Sequence, residues 1–158
     1  MKIINNFIRN SADIIRLAEY QNNDFKPRVG VHKHESIIPG LCSRFKTLHS
    51  DNMSPRLIEL IFEYSDFDSF LKDTFSFIQI QKYEKGDFII PHKDIYDIQK
   101  LHLITLTTSD HDGLVIEDGN GGLVKIYDKA GTYIDFDNSL YHWVDPVEEL
   151  RYSLVIGE

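Results

Sequence analysis

Residues 75–83, Phe75-Ser76-Phe77-Ile78-Gln79-Ile80-Gln81-Lys82-Tyr83, mark the point at which this 158-residue chain changes period. Apolar side chains at 75, 77, 78, 80 and 83 recur close to every second residue, as in a strand whose successive side chains point to opposite faces. Beyond Tyr83 the apolar residues come in short runs at 88–90, 101–107, 114–116, 123–127, 132–136, 141–147 and 151–156. With the first run these make about eight short strands, the number of a double-sheet jelly roll. Asn120-Gly121-Gly122 parts two of the runs and supplies the positive φ of a tight hairpin over 114–127, and Gly131 opens the strand at 132–136. The expected fold is mostly β, a double-sheet jelly roll or double-stranded β-helix.

Upstream, the pattern is helical. Ser11 is placed to cap a helix through Asp13–Glu19, whose Ile14, Ile15, Leu17 and Ala18 form a one-sided stripe. Ser54 before Pro55 is a start signal, with Leu57, Ile58, Ile61 and Phe62 at helical spacing after it and a break near Asp66. Residues 24–52 read as loop. The organisation expected is one domain over 1–158, with 1–74 as helical support and loops and 75–158 as the jelly-roll core. A chain of this length buries roughly 70% of its unfolded surface and needs no staples.

The chemistry sits on the strand side. His92 and Asp94 are two residues apart, so on an extended chain they face the same way and offer an imidazole nitrogen and a carboxylate oxygen to one ion. His142 follows forty-eight residues after Asp94 and is the candidate third ligand. Two histidines and a carboxylate on one face of an octahedron leave the other face open, the arrangement of non-heme Fe(II) oxygenases. Nine residues past His142, Arg151 and Ser153 repeat the two-residue spacing inside an apolar run. A guanidinium and a hydroxyl then share one inward face, and the guanidinium fork matches a carboxylate even in a poorly hydrated pocket. The expected ligand is a small acid.

Tyr83-Glu84-Lys85-Gly86, His92-x-Asp94, Ala130-Gly131-Thr132 before Phe136, His142-x-Val144-x-Pro146-Val147 and Arg151-Tyr152-Ser153 together resemble the Fe(II)/2-oxoglutarate-dependent dioxygenases, in their prolyl 4-hydroxylase-like branch. The resemblance covers about residues 75–157. It implies that His92, Asp94 and His142 bind Fe(II), that 2-oxoglutarate chelates the metal and lays its C5 carboxylate on Arg151, and that Ser153 and Tyr83 assist. It further implies that O2 takes the remaining position and that decarboxylation to succinate and CO2 is coupled to oxidation of a C–H bond. Some relatives use Lys in place of this Arg, and the Gly-Gly-x-Leu of the middle strands is blurred here to Asp112-Gly113-Leu114. Because Asp94 fills the position that halogenating relatives leave small, the resemblance implies hydroxylation. The leading substrate reading is a prolyl or other peptidyl residue; a free amino acid or small metabolite stands beside it, and a non-catalytic cupin-like binding module is the alternative of another class.

Composition narrows the partners. Seventeen basic against twenty-five acidic residues give a net charge of −8, which works against holding a nucleic-acid backbone, so no nucleic acid is expected. A lone Cys42 and the lack of an N-terminal apolar run lead to the expectation of a cytoplasmic protein with no disulfide and no membrane partner. His32 and His34 also stand two apart but lie among Lys33 and Glu35 in a loop-like stretch, and they read as solvated surface. His49, His102 and His111 have no spaced partner; His102 reads as lining the barrel with ordinary polar contacts. Tyr83 is either a cosubstrate contact or core packing, and Thr105 or Thr107 is within reach of the C5 carboxylate. Trp143 and Tyr141, flanking His142, point to the opposite face, and the acidic clusters at 66–68 and 148–149 read as solvated turns.

Overall fold

In the computed structural model, which describes residues 1–28, 43–94 and 100–158, two antiparallel sheets face each other. The larger has seven strands in the order β1 (Lys2–Ile4), β9 (Thr132–Asp135), β6 (Leu101–Thr105), β11 (Arg151–Gly157), β4 (Phe77–Tyr83), β3 (Phe45–His49) and β2 (Lys26–Arg28). The smaller has four, β5 (Ile89–His92), β10 (His142–Val144), β7 (Gly113–Glu117) and β8 (Leu123–Tyr127). Strands β4 to β11 are the eight of a jelly roll, four in each sheet, where the period-two runs place them. His32, His34 and Cys42 lie outside the described residues.

Residues 24–52 are not all loop, contrary to expectation. Lys26–Arg28 and Phe45–His49 pair with each other, and β3 pairs with β4, so both extend the larger sheet. Such short runs carry little periodicity of their own; the open edge of β4 supplies the partner that makes them strands.

The outer face of the larger sheet is covered by α1 (Ser11–Glu19) and α2 (Pro55–Tyr64). Ile14, Leu57 and Ile61 pack there against Ile78, Ile80, Ile104, Leu154 and Ile156, all fully buried. Ser54 caps α2 by accepting from the Leu57 amide, with Pro55 at the first helical position, and the helix ends at Tyr64. Ser11 is not the cap of α1. It is the first helical residue and buried, and Asn10 precedes it in the left-handed conformation with no side-chain cap bond. A short α3 (Ser69–Thr74) goes beyond the expectation: Asp68, read as part of a solvated turn, accepts from the Leu71 amide and starts it.

The space between the sheets is a second core, with Phe45, Tyr83, Ile89, Leu114, Ile116 and Val144. Register puts Arg28, Phe45, Tyr83 and Arg151 in one row across the larger sheet: Arg28 pairs with Phe45, Phe45 stacks on Tyr83 at 5.0 Å, and Tyr83 pairs with Arg151. The β7–β8 hairpin forms as expected, but its loop is Asp118–Gly122, with positive φ at Gly119 and Gly121 and with the Asp118 carboxylate accepting from the Asn120 and Gly122 amides. Gly113, in the blurred Asp-Gly-Leu, has no room for a side chain: a Cβ there would lie 2.1 Å from the Ile126 carbonyl oxygen.

Candidate active site

His92 ends β5, His142 begins β10, and the two are register partners on adjacent strands with ring centroids 4.2 Å apart. Asp94 follows β5, its amide donating to the Asn138 carbonyl. One ligand atom from each of His92, Asp94 and His142 lies within 4.8 Å of the others, so the three residues meet at one point. The Asp94 carboxylate stands 2.9 Å from His142 Nε2 and 3.5 Å from His92 Nε2.

The donor set fits a divalent cation. His92 Nδ1 lies 2.8 Å from the Ile90 carbonyl oxygen and His142 Nδ1 lies 2.9 Å from that of Leu140. A carbonyl only accepts, so both Nδ1 atoms carry the hydrogen, and in the neutral rings both Nε2 lone pairs face the carboxylate. Three electron-rich atoms aimed at one point need a positive charge between them. Burial alone would push the Asp94 carboxyl up, but the imidazoles of His142 and His92 beside it hold it well below the usual carboxylate range, so it stays ionised.

These residues open on a cavity of about 240 Å³ between the sheets, whose far wall includes Tyr83, Gln81, Arg151 and Ser153. Arg151, 2% exposed, gives one edge of its guanidinium to Asp128, with Nε 2.7 Å and Nη2 3.1 Å from the carboxylate oxygens. Burial opposes the charge, but the adjacent Asp128 outweighs it and raises the Arg151 pKa. The guanidinium also lies 5.0 Å from the centre of the Tyr83 ring. Tyr83 and Ser153 are joined through Gln81, whose Oε1 accepts from both hydroxyls at 3.1 and 3.0 Å. Burial pushes the Tyr83 phenol well above its ordinary value, against the lowering effect of Arg151, so it remains a neutral donor.

All six residues singled out, His92, Asp94, His142, Arg151, Ser153 and Tyr83, therefore line one cavity. Thr105 and Thr107 do not reach it. Thr105 donates to the Lys129 carbonyl at 2.6 Å and Thr107 is tied to the Tyr152 backbone, so their hydroxyls satisfy backbone ends instead of a ligand. His102 is on the opposite, helix-facing side of its sheet, between the Tyr133 hydroxyl and the Glu158 carboxylate. Trp143 faces away and donates to Asp145, and Tyr141 is exposed beneath the Lys93 ammonium. Gln81, Asp128, Phe45, Asn138 and Arg28 were missed. Gln81 had a signal, because it precedes Tyr83 by two on the same strand face; Asp128 had none, since only the fold brings it to Arg151.

No protein-family model matches the chain, and no curated protein matches it in sequence. Solved structures do match in fold. A Pseudomonas putida prolyl-4-hydroxylase superposes with a TM-score of 0.66 at 16% identity, over 99% of this chain and 90% of that one. A prolyl hydroxylase from Trichoplax adhaerens, solved with a hypoxia inducible factor oxygen degradation domain peptide, gives 0.68 at 19%, over 99% and 81%. The non-heme α-ketoglutarate-dependent carbocyclase SnoK of nogalamycin biosynthesis gives 0.69 at 10%, over 98% and 77%. At these identities the likeness is one of architecture: the chain has the double-stranded β-helix shared by 2-oxoglutarate/Fe(II) oxygenases of the prolyl-hydroxylase kind.

Proposed function

We propose that the protein is an Fe(II)- and 2-oxoglutarate-dependent oxygenase that hydroxylates a C–H bond and releases succinate and CO2. The observation that carries this reading is the convergence of His92 Nε2, His142 Nε2 and the Asp94 carboxylate on one point, in the same cavity as the buried guanidinium of Arg151. His92, Asp94 and His142 hold the iron, which with O2 and 2-oxoglutarate supplies the oxidising chemistry. Arg151 receives the distal carboxylate of 2-oxoglutarate on the guanidinium edge that Asp128 leaves open, and the Tyr83 and Ser153 hydroxyls, whose single hydrogens point at Gln81 here, turn from it to donate to that carboxylate. Ile90 and Leu140 keep both histidines in the ligating tautomer through their carbonyls. The apolar wall of Phe45, Ile89, Leu114 and Val144 displaces water from the reacting centre. A cytoplasmic setting, where iron stays reduced, suits this chemistry.

The test is succinate formation from 2-oxoglutarate with Fe(II) and air, followed by mass spectrometry. Slow, substrate-independent succinate that disappears in Asp94→Ala supports the reading. Tight 2-oxoglutarate binding with no succinate under any condition would instead mark a binding module.

A further inference from the structure

Arg28 closes β2, the edge strand of the larger sheet, and its side chain lines the same cavity as the metal-facing residues and Arg151. Its Nε is shut off from solvent and has no hydrogen-bond partner among the described residues. Arginine N–H groups buried in this way are costly, because the desolvation of a charged donor goes unreturned. The other arginines of the described residues each pair with a carboxylate: Arg9 with Asp66, Arg16 with Asp13, Arg44 with Asp87, Arg56 with Glu59 and Arg151 with Asp128. Arg28 alone among them has no such partner within the described residues.

We infer that Arg28 is a second anion subsite and that the substrate oxidised here is an anionic small molecule bearing a carboxylate or phosphate. The substrate class rests on the oxygenase reading above; the subsite itself does not. Arg28 and Arg151 share a register row with β3 and β4 between them, three strand spacings apart, or about 14 Å from backbone to backbone. Arg151, with Tyr83 and Ser153 beside it, already supplies the donors that a five-carbon diacid needs, which leaves the Arg28 guanidinium to another ligand. Between the two cations the wall is aromatic, with Phe45 stacked on Tyr83, and Phe77 lines the cavity further along, so an apolar body with one charged end fits it. In a chain of net charge −8, capture of an anion needs such a local cation.

Benzoate, a planar carboxylate on an aromatic body, is the probe. It is titrated calorimetrically into the whole protein loaded with zinc, which does not turn over, and saturating 2-oxoglutarate, with inorganic phosphate as a parallel arm. One site per chain is expected, weakened about tenfold or more in Arg28→Gln and only partly in Arg28→Lys. Benzoate binding alone assigns the subsite to carboxylates, and phosphate binding alone to phosphate esters. Arg151→Gln should lose 2-oxoglutarate and keep the probe. Failure of both probes to bind, or equal binding to wild type and Arg28→Gln, overturns the subsite. Neutral prolyl peptides that stimulate succinate release equally in wild type and Arg28→Gln overturn the anionic substrate class. Loss of probe binding in Arg28→Gln by a protein that neither binds 2-oxoglutarate nor forms succinate leaves the subsite standing and removes the oxygenase reading.

Discussion

Arg151 commits one edge of its guanidinium to Asp128 and keeps the other for the cavity, so its two roles separate by mutation. Arg151→Ala is expected to raise the 2-oxoglutarate requirement while leaving metal binding intact, since it removes a carboxylate partner and no ligand atom; His92→Ala and Asp94→Ala should abolish turnover and metal binding together. Metal titration beside 2-oxoglutarate kinetics distinguishes these, and equal loss of metal in Arg151→Ala would refute the assignment. Asp128→Leu strands a buried cation and is expected to cost about 3–5 kcal/mol of stability. Adding Arg151→Met to Asp128→Leu should recover most of that in chemical denaturation, because an apolar pair replaces an ionic one, yet 2-oxoglutarate binding should stay lost. Such a split would show that the ion pair serves cosubstrate binding and is not required for the fold.

Helices and strands carry their own tests. Leu57 on α2 is fully buried against the outer face of the larger sheet, so Leu57→Ala should lower stability by about 2–5 kcal/mol in a denaturant titration with the unfolding slope unchanged. On β6, burial lowers the His102 pKa in spite of the Glu158 carboxylate beside it. The unfolded chain takes up a proton near pH 6.5 that the folded chain resists, so this contribution to stability is complete above that pH and is lost as the pH falls through it. Melting temperatures should decline below about pH 6.5 and decline less in His102→Gln; a variant with the same slope as wild type would exclude His102 as the cause. Alternation made the eight core strands readable, and with them His92, Asp94 and Ser153, because a period of two states which residues share a face. Strands β2 and β3 escaped notice because Lys26-Pro27-Arg28 holds no apolar residue and Phe45–His49 only two, so neither makes an apolar run, and Arg28 went unnoticed with them. Asn10, not Ser11, holds the cap position of α1 because the chain enters that helix through a left-handed residue, a geometry that cap preferences do not encode.

At the scale of the molecule, the metal-facing groups come from the smaller sheet and the turn after it, whereas Arg151, Tyr83 and Ser153 come from the larger one. A ligand reaching from iron to Arg151 would tie the two layers together. Metal and 2-oxoglutarate together should therefore raise the melting temperature by more than the sum of each alone, and Arg151→Gln should reduce the rise to that of metal alone, as scanning calorimetry would show. The pairing of His142 with His92, followed by a shift that sets Val144 opposite Ile89, adds a further consequence. Sliding β10 by one residue would turn its imidazole toward bulk water and bring Trp143 inward. Faithful annealing of two very short segments thus decides whether a nascent chain is ever able to load its ion, and recombinant batches of identical mass and near-identical circular dichroism would then differ in the fraction that accepts iron.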